Sequence, residues 1–415
     1  MRTAVIGGSL GGLTAALLLR DAGHDVAVFE RSPVALTGFG AGIVAHEVSL
    51  RYFLGRTARD PDAFTIAVDT YRLLDQSGAC LYEERVAYRF VSWGTLHRAL
   101  LAEFGTERYF QGVALERFAQ DDHGVDVRFS DGRSARFDLV ILADGIQSTG
   151  RAQLFPQVEP VYSGYVAWRG TVEERAIPRD ALARVDDTLT YTLIPSSHIL
   201  VYPIPGADGT VARGRRWWNF VWYRNVATGA PLDALMTDVD GVRHAVSLRP
   251  GRVQPRHVRE LRDYARANLP AEISDIVAAT DAPFIQVVMD VACPRMAVGR
   301  VCIIGDAAFA ARPHAAAGTA KAAENAWTLA EALVEGGDDW RGALERWSAH
   351  QTELGERLVA RARDIGEGSQ FRCDWRPGDP ALRFGLYEAG DSSIWTRTTR
   401  SDPAWWLRRI RVPGV

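Results

Sequence analysis

The sequence predicts an α/β fold of two lobes, one built on a parallel sheet and one on an antiparallel sheet, followed by C-terminal helices. Three observations lead there. Ala4-Val5-Ile6, a glycine-rich turn, a helix running to about Ala22 and Val26-Ala27-Val28-Phe29 form a βαβ unit at the very start of the chain. Two further short apolar runs, Leu139-Val140-Ile141-Leu142 and Val301-Cys302-Ile303-Ile304, read as fully buried strands, and each ends in a turn pairing glycine with aspartate. Between about Val161 and Met289 the character changes to strand-like, aromatic-rich stretches.

In chain order, the first unit carries the turn Gly7-Gly8-Ser9-Leu10-Gly11-Gly12, with Gly23 suited to ending the helix and Glu30 closing the second strand. Such a turn places the positive end of a helix against phosphates. The acid at the tip of the second strand is placed to accept hydrogen bonds from ribose hydroxyls. The unit therefore reads as a dinucleotide site, and the acid at position 30 argues against a 2′-phosphate there. Ser9 stands where the middle glycine of the G-x-G-x-x-G pattern would be, at little cost in volume. FAD and NAD both fit at this point.

Arg31-Ser32-Pro33 leads into Gly38-Phe39-Gly40-Ala41-Gly42-Ile43, a second glycine-rich loop able to lie against something flat. His46 follows, at the start of a helix over Glu47 to Leu54. Thr65 to Arg89 alternates like strand, Trp93 to Glu103 reads as helix, and Val125–Phe129 with Ser134–Phe137 forms a hairpin around Asp131-Gly132. The strand Leu139–Leu142 then delivers Asp144-Gly145 to the carboxyl edge of the sheet, where ligands bind in open α/β folds.

The second lobe contributes strands at Tyr162–Gly170, Thr188–Pro195, Ile199–Pro205 and Arg216–Tyr223. One face of such a sheet suits an aromatic ligand, and alternation means that Trp222 and Tyr223 cannot both face it. After Gly305-Asp306, the stretch Arg312-Pro313-His314 and the small residues Ala315 to Thr319 open a long helix through Leu333, a second helix N-terminus for a negative group. Helix continues to about Ile365. The division expected is 1–70, 90–160 and 290–350 for the dinucleotide lobe, 71–89 and 161–289 for the sheet lobe, and 351–415 for a C-terminal helix and tail.

Composition excludes several classes. The chain has 415 residues, 47% hydrophobic content and a net charge of −3, enough for two cores and without the basic footprint of a nucleic-acid or anionic-membrane binder. Lys321 is the one lysine, the other basic residues being arginine. Cys80, Cys293, Cys302 and Cys373 lack metal-ligand spacing and read as reduced thiols. No run approaches about 18 apolar residues, and the apolar start is broken by its glycine turn, so no membrane partner and a cytoplasmic location are expected.

Taken together, Gly7-x-Ser9-x-x-Gly12 with Glu30, Ala143-Asp144-Gly145 with Ser148 and Arg151, and Gly305-Asp306-Ala307-Ala308 with Pro313 and Gly318 resemble the single-component flavoprotein aromatic hydroxylases, the p-hydroxybenzoate hydroxylase-like class. Order and spacing match over nearly the whole chain. Within the class, Gly38-Phe39-Gly40, Trp168-Arg169-Gly170, Tyr202-Pro203-Ile204-Pro205-Gly206, Asn219-Phe220 with Trp222-Tyr223, and Arg312 through Gly318 resemble its hydroxypyridine-hydroxylating branch.

The resemblance implies a Rossmann-like domain binding FAD tightly and non-covalently, with Glu30 on the ribose, Asp306 on the ribitol and the helix after Ala317 aimed at the pyrimidine end of the flavin. Gly7, Ser9, Leu10, Gly12, Arg31, Gly42, Asp144, Gly145, Gly305, Pro313, Ala317 and Gly318 complete the implied cofactor contacts. NADH or NADPH would act as a transient donor without a domain of its own, and O2 as co-substrate. A homodimer is the expected assembly. Phe309, Ala317, Ala320 and Trp93 depart from the side chains usual in the class, so contacts relying on those side chains do not carry over.

The implied reaction transfers one oxygen from a flavin C4a-hydroperoxide to an electron-rich phenol or hydroxylated N-heterocycle. His46 and His314 are candidate bases for the substrate hydroxyl, and Tyr202 and Trp222 candidate pocket residues. A NAD-dependent dehydrogenase would leave Asp144-Gly145 and Gly305-Asp306 without a task. A non-catalytic flavin-binding redox protein is the remaining alternative.

Overall fold

The structure is a computed structural model that describes residues 1–36, 41–57 and 60–391. Gly38, Phe39 and Gly40 of the second glycine-rich loop lie outside the described residues.

The apolar runs of the first lobe assemble side by side. A six-stranded sheet runs in the order 297–298, 301–303, 139–142, 2–6, 25–30 and 109–111, parallel except for its 297–298 edge. Its central strands are buried on both faces, which is why residues 4–6, 139–142 and 301–303 read as unbroken apolar runs rather than as alternation. The helix Leu10–Asp21 crosses over one face and packs against the helix Gly318–Gly336 so closely that a Cβ on Gly11 would lie 2.9 Å from that of Ala322. The helix Trp93–Phe104 starts where Ser92 accepts the amide of Thr95 at 3.0 Å, a cap worth about 1 kcal/mol. The hairpin gains a third strand, Leu115–Gln120, on the other side of Val125–Phe129.

The second lobe is a ten-stranded sheet running in the order 247–248, 284–292, 161–173, 217–225, 197–204, 188–194, 66–74, 80–92 and 42–44, with 309–310 paired to 284–292. All its pairings are antiparallel except 188–194 with 66–74. The expected boundaries at 70/71 and 89/90 therefore need correction: they cut through the strands Ile66–Leu74 and Cys80–Ser92, and Gly42–Val44 also belongs to this sheet.

Both faces of the sheet are covered. Helices Arg179–Val185, Pro255–Asn268 and Ala271–Ala279 bury one face, which carries Trp168, Trp218, Phe220 and Trp222. The opposite face carries Tyr165, Tyr191, Tyr202 and Tyr223. The helix Trp340–Glu367 runs through the expected boundary at 350/351 and continues into a π turn, Gly368–Arg372. Beyond it the chain turns back so that Trp375 and Phe384 pack on the tyrosine face.

Candidate active site

Strand register decides where the glycine and acid turns meet. Ile6 pairs with Phe29 and with Leu142, and Leu142 pairs with Ile303, so the residues just beyond them, Gly7, Glu30, Asp144 and Gly305-Asp306, emerge at one edge of the sheet. Gly7 has φ +108°, and a Cβ on it would stand 2.2 Å from the carbonyl oxygen of Ala143; one on Gly12 would stand 1.9 Å from that of Gly7. Only hydrogen fits at either position. The Glu30 carboxylate bridges two turns, accepting from the amides of Gly8 at 2.8 Å and Ser32 at 2.8 Å. The Gly8 carbonyl is held in turn by His97 Nε2 at 2.9 Å and the Tyr109 hydroxyl at 3.3 Å. Trp93, standing where the class often has arginine, stacks on His97 at 4.8 Å.

The other two turns are tied to each other. Asp144 accepts from Ser148 Oγ at 2.5 Å and from the Gly150 amide at 3.1 Å; burial pushes its carboxyl up, against these bonds. Arg151 reaches the carbonyls of Ile146 at 2.6 Å and Ala307 at 3.0 Å, stapling the turn after Leu142 to the turn after Ile303. Asp306 is paired with Lys321 Nζ at 2.9 Å. That ammonium is 1% exposed and also donates to the Phe309 carbonyl, whereas the Asp306 side chain is 57% exposed. Phe309 itself packs against Gly355 of the C-terminal helix, away from this edge.

These residues fit a flavin dinucleotide. Two helix N-termini, at Leu10 and Gly318, start with Ser9 and Ala317, neither of which caps through its side chain, so their first amides are open to an anion. A Cβ on Gly145 or Gly318 would meet nothing within 4 Å, so both border open space. Arg31 is exposed at the rim, close enough for its charge to act on Asp144. Pro313 opens the short turn Pro313–Ala315, whose following residue, Ala316, sits in the left-handed region at φ +54°.

Facing this edge is the tyrosine face of the large sheet. His46 is fully buried and its Nε2 lies 2.9 Å from the Ala316 carbonyl, so that nitrogen carries a proton and fastens the strand Gly42–Val44 to the loop before the Gly318 helix. His314 is buried among Tyr165, Tyr223 and His198, with Nε2 at 2.8 Å from the Tyr165 hydroxyl and Nδ1 without a partner. Burial, helped by the charge of Arg312, pushes His314 down to about 3. At neutral pH it is an uncharged imidazole.

Tyr202 stacks on Phe90 at 4.2 Å and donates to the Gly42 carbonyl at 2.9 Å, bracing the strand that carries His46. Trp222 needs correction as a pocket candidate. Its ring lies on the helix-covered face near Tyr264, with Nε1 donating to Ser197 Oγ at 3.0 Å, while its neighbour Tyr223 takes the tyrosine face.

Several residues of this face were given no role from the sequence. His198 lies 5.3 Å from His314 by ring centroid, bonded through Nδ1 to Ser369 Oγ of the π turn at 2.6 Å. Asn219 accepts from the Gly42 amide at 2.8 Å while its Nδ2 has no partner, and Arg169 has a buried Nε without one. A charged or amide side chain amid a strand otherwise apolar was the available signal.

A parallel-sheet edge whose turns fit a flavin dinucleotide, opposed by an aromatic sheet, points to a flavin-dependent aromatic hydroxylase. A family model described as FAD binding domain-like matches residues 162–290, and one described as NAD(P)-binding Rossmann-like domain matches residues 5–62. The chain belongs to the FAD-dependent aromatic monooxygenases of the p-hydroxybenzoate hydroxylase-like fold, with FAD as cofactor and NAD(P)H as donor.

Among its relatives is 2,6-dihydroxypyridine 3-monooxygenase of Paenarthrobacter nicotinovorans, 39% identical over 402 residues that cover 96% of this chain and 98% of the relative. The solved structure of 2,6-dihydroxypyridine-3-hydroxylase from Arthrobacter nicotinovorans superposes with a TM-score of 0.89 at 38% identity, covering 94% of this chain and 98% of the other. The 6-hydroxynicotinate 3-monooxygenase of Bordetella bronchiseptica is 26% identical over 376 residues, 86% of this chain and 89% of its own. Among the described residues no helix is long and apolar enough to cross a membrane.

Proposed function

We propose that this monooxygenase hydroxylates a hydroxylated N-heteroaromatic ring of the hydroxypyridine kind. The observation that carries the reading is the make-up of the face opposite the flavin edge. Tyr165, Tyr202, Tyr223, His198 and His314 give flat apolar surfaces with neutral polar tips, suited to a small ring bearing hydroxyl and ring-nitrogen groups. The relatives named for hydroxypyridine and hydroxynicotinate chemistry support the same class.

In this reading Gly7, Ser9, Leu10, Gly12, Glu30, Arg31, Gly42, Asp144, Gly145, Gly305, Asp306, Pro313, Ala317 and Gly318 hold FAD, which when bound supplies the electrophilic oxygen atom taken from O2. The chain's own side chains seat the ring, exclude water and manage one proton. Tyr223 and the uncharged His314 orient the substrate, and His314 Nδ1 is the atom that hydrogen-bonds its hydroxyl. Held down to about 3, His314 stays uncharged and does not remove the substrate's proton; with Nε2 accepting from the Tyr165 hydroxyl, Nδ1–H donates to the substrate oxygen. His46 holds the loop that carries the Gly318 helix, and Tyr202 braces His46's strand. The free thiols Cys80, Cys293, Cys302 and Cys373 and the need for a nicotinamide donor support a cytoplasmic location.

The test is a panel of hydroxypyridines, hydroxybenzoates and simple phenols added to the FAD-loaded protein with NADH or NADPH. The expected outcome is fast donor oxidation with hydroxypyridines and a product heavier by one oxygen atom. Uniformly slow oxidation with every ring would contradict the reading and favour a flavin-binding redox protein.

A further inference from the structure

We propose that Arg169 is the anion-binding residue of the substrate face and holds the ionised hydroxyl oxygen of the ring that is hydroxylated. The inference deepens the function proposed above and rests on it.

The strand Val161–Glu173 lies between Phe284–Ala292 and Trp217–Asn225, and alternation sends Tyr165, Ala167 and Arg169 to one side. Tyr165 and Ala167 belong to the tyrosine face, whereas Trp168 belongs to the helix-covered one. In register, Ala167 pairs with Tyr223, Arg169 with Val221 and Thr171 with Asn219, while Asn219 pairs on its other side with Tyr202. Arg169 therefore rises between the Tyr223 row and the Tyr202–Asn219 row. Its charge acts on both tyrosine hydroxyls, opposing the burial that raises them.

Arg169 is half-buried, its Nε is buried without a partner, and among the described residues it makes no ion pair. The fully or nearly buried arginines elsewhere are all engaged: Arg151 with three carbonyls, Arg216 with Glu174 and Asp186, Arg312 with Asp290. A guanidinium N–H withdrawn from water without an acceptor is costly, so a half-buried arginine whose Nε has no acceptor and whose charge has no counter-ion calls for an anion brought by a ligand. A second donor stands nearby: Asn219 is fully buried and its Nδ2, fixed in orientation because Oδ1 accepts from Gly42, has no partner.

The planar fork of arginine suits an oxyanion better than a neutral hydroxyl. Binding the hydroxyl in its ionised form, its proton having passed to solvent water before the ring is enclosed, raises electron density on the ring carbons ortho and para to it. Those are the carbons that must attack an electrophilic oxygen, so one guanidinium would select for ionisable rings and prepare them for reaction.

The experiment titrates the FAD-loaded protein with a stimulating hydroxypyridine and with its O-methyl ether, following the change in the flavin absorption spectrum. In Arg169→Met the hydroxyl ligand should bind at least about tenfold more weakly while the ether binds as it does to the wild type, and Arg169→Lys should recover part of the loss. FAD retention and the unfolding midpoint of both variants serve as folding controls, with Arg169→Gln in reserve. Unchanged affinity for the hydroxyl ligand in Arg169→Met would overturn the proposal. So would an equal loss for the ether, or a loss confined to the KM for NADH, which would assign the guanidinium to the donor's phosphates. If no ring compound perturbs the wild-type flavin or speeds NADH oxidation, the hydroxylase reading itself fails, before Arg169 is tested.

Discussion

The pair formed by Lys321 and Asp306 should respond asymmetrically to mutation. Nζ lies 2.9 Å from Asp306 Oδ1, but the lysine side chain is 1% exposed and the aspartate side chain 57% exposed. Removing the aspartate, as in Asp306→Ala, strands a buried ammonium with only the Phe309 carbonyl as acceptor, an uncompensated charge that costs about 3–5 kcal/mol. Removing the lysine, as in Lys321→Met, leaves a carboxylate that reaches water and puts an apolar chain of similar length into an apolar place. That loss should be about 1 kcal/mol or less. The double variant should recover most of what Asp306→Ala loses. Chemical denaturation of flavin-free protein, followed by tryptophan fluorescence, measures all three. A Lys321→Met that is as damaging as Asp306→Ala, or a double variant no better than Asp306→Ala, would show that the burial difference does not govern this pair.

Gly12→Ala should abolish FAD retention, because its Cβ would overlap the Gly7 carbonyl at 1.9 Å; flavin absorbance per protein after gel filtration reports it. Trp222→Phe should lower the unfolding midpoint through lost volume and the lost bond to Ser197 yet leave the substrate KM unchanged, whereas Tyr223→Phe should change KM or kcat with little effect on folding. Because His314 is lowered to about 3 from an ordinary 6.5, the unfolded chain binds the extra proton between those values and the folded one does not, so stability falls as pH drops from 6.5 to 3. His314→Asn should remove about a few kcal/mol of that fall, summed across the window, in denaturation curves taken at a series of pH values.

How much of this was legible depends on how each residue's environment shows in sequence. The strands 2–6, 25–30, 139–142 and 301–303 were readable because burial on both faces leaves unbroken apolar runs at 4–6, 26–29, 139–142 and 301–303, and a strand ending in glycine and acid has few other uses. The orientation of Trp222 and Tyr223 was not readable. Alternation separates the two, but helices cover one face and the flavin lobe with the C-terminal segment covers the other, so both faces demand aromatics.

Two strands of the large sheet, one at its edge and one inside it, escaped the expected boundaries for a related reason. Gly42–Val44 pairs with 90–92, and Ile66–Leu74, besides its neighbour Cys80–Ser92, pairs with 188–192 far along the chain, pairings that local pattern does not encode. Lys321 stood out only as the single lysine. Its partner, fifteen positions upstream, became visible once the turn at Gly305 folded against the helix. Arg169 carried a signal, a charge in the middle of an apolar strand, that needed the register with Tyr223 and Asn219 to acquire meaning.

The arrangement can be checked most directly by solving the structure of the protein loaded with FAD and a hydroxypyridine. The flavin should run from the amides after Ser9, past Glu30 and Asp306, to the N-terminus of the Gly318 helix, with the ring ligand seated between it and Tyr223. A flavin bound away from the shared strand edge, or a ligand on the Trp222 side of the sheet, would contradict it.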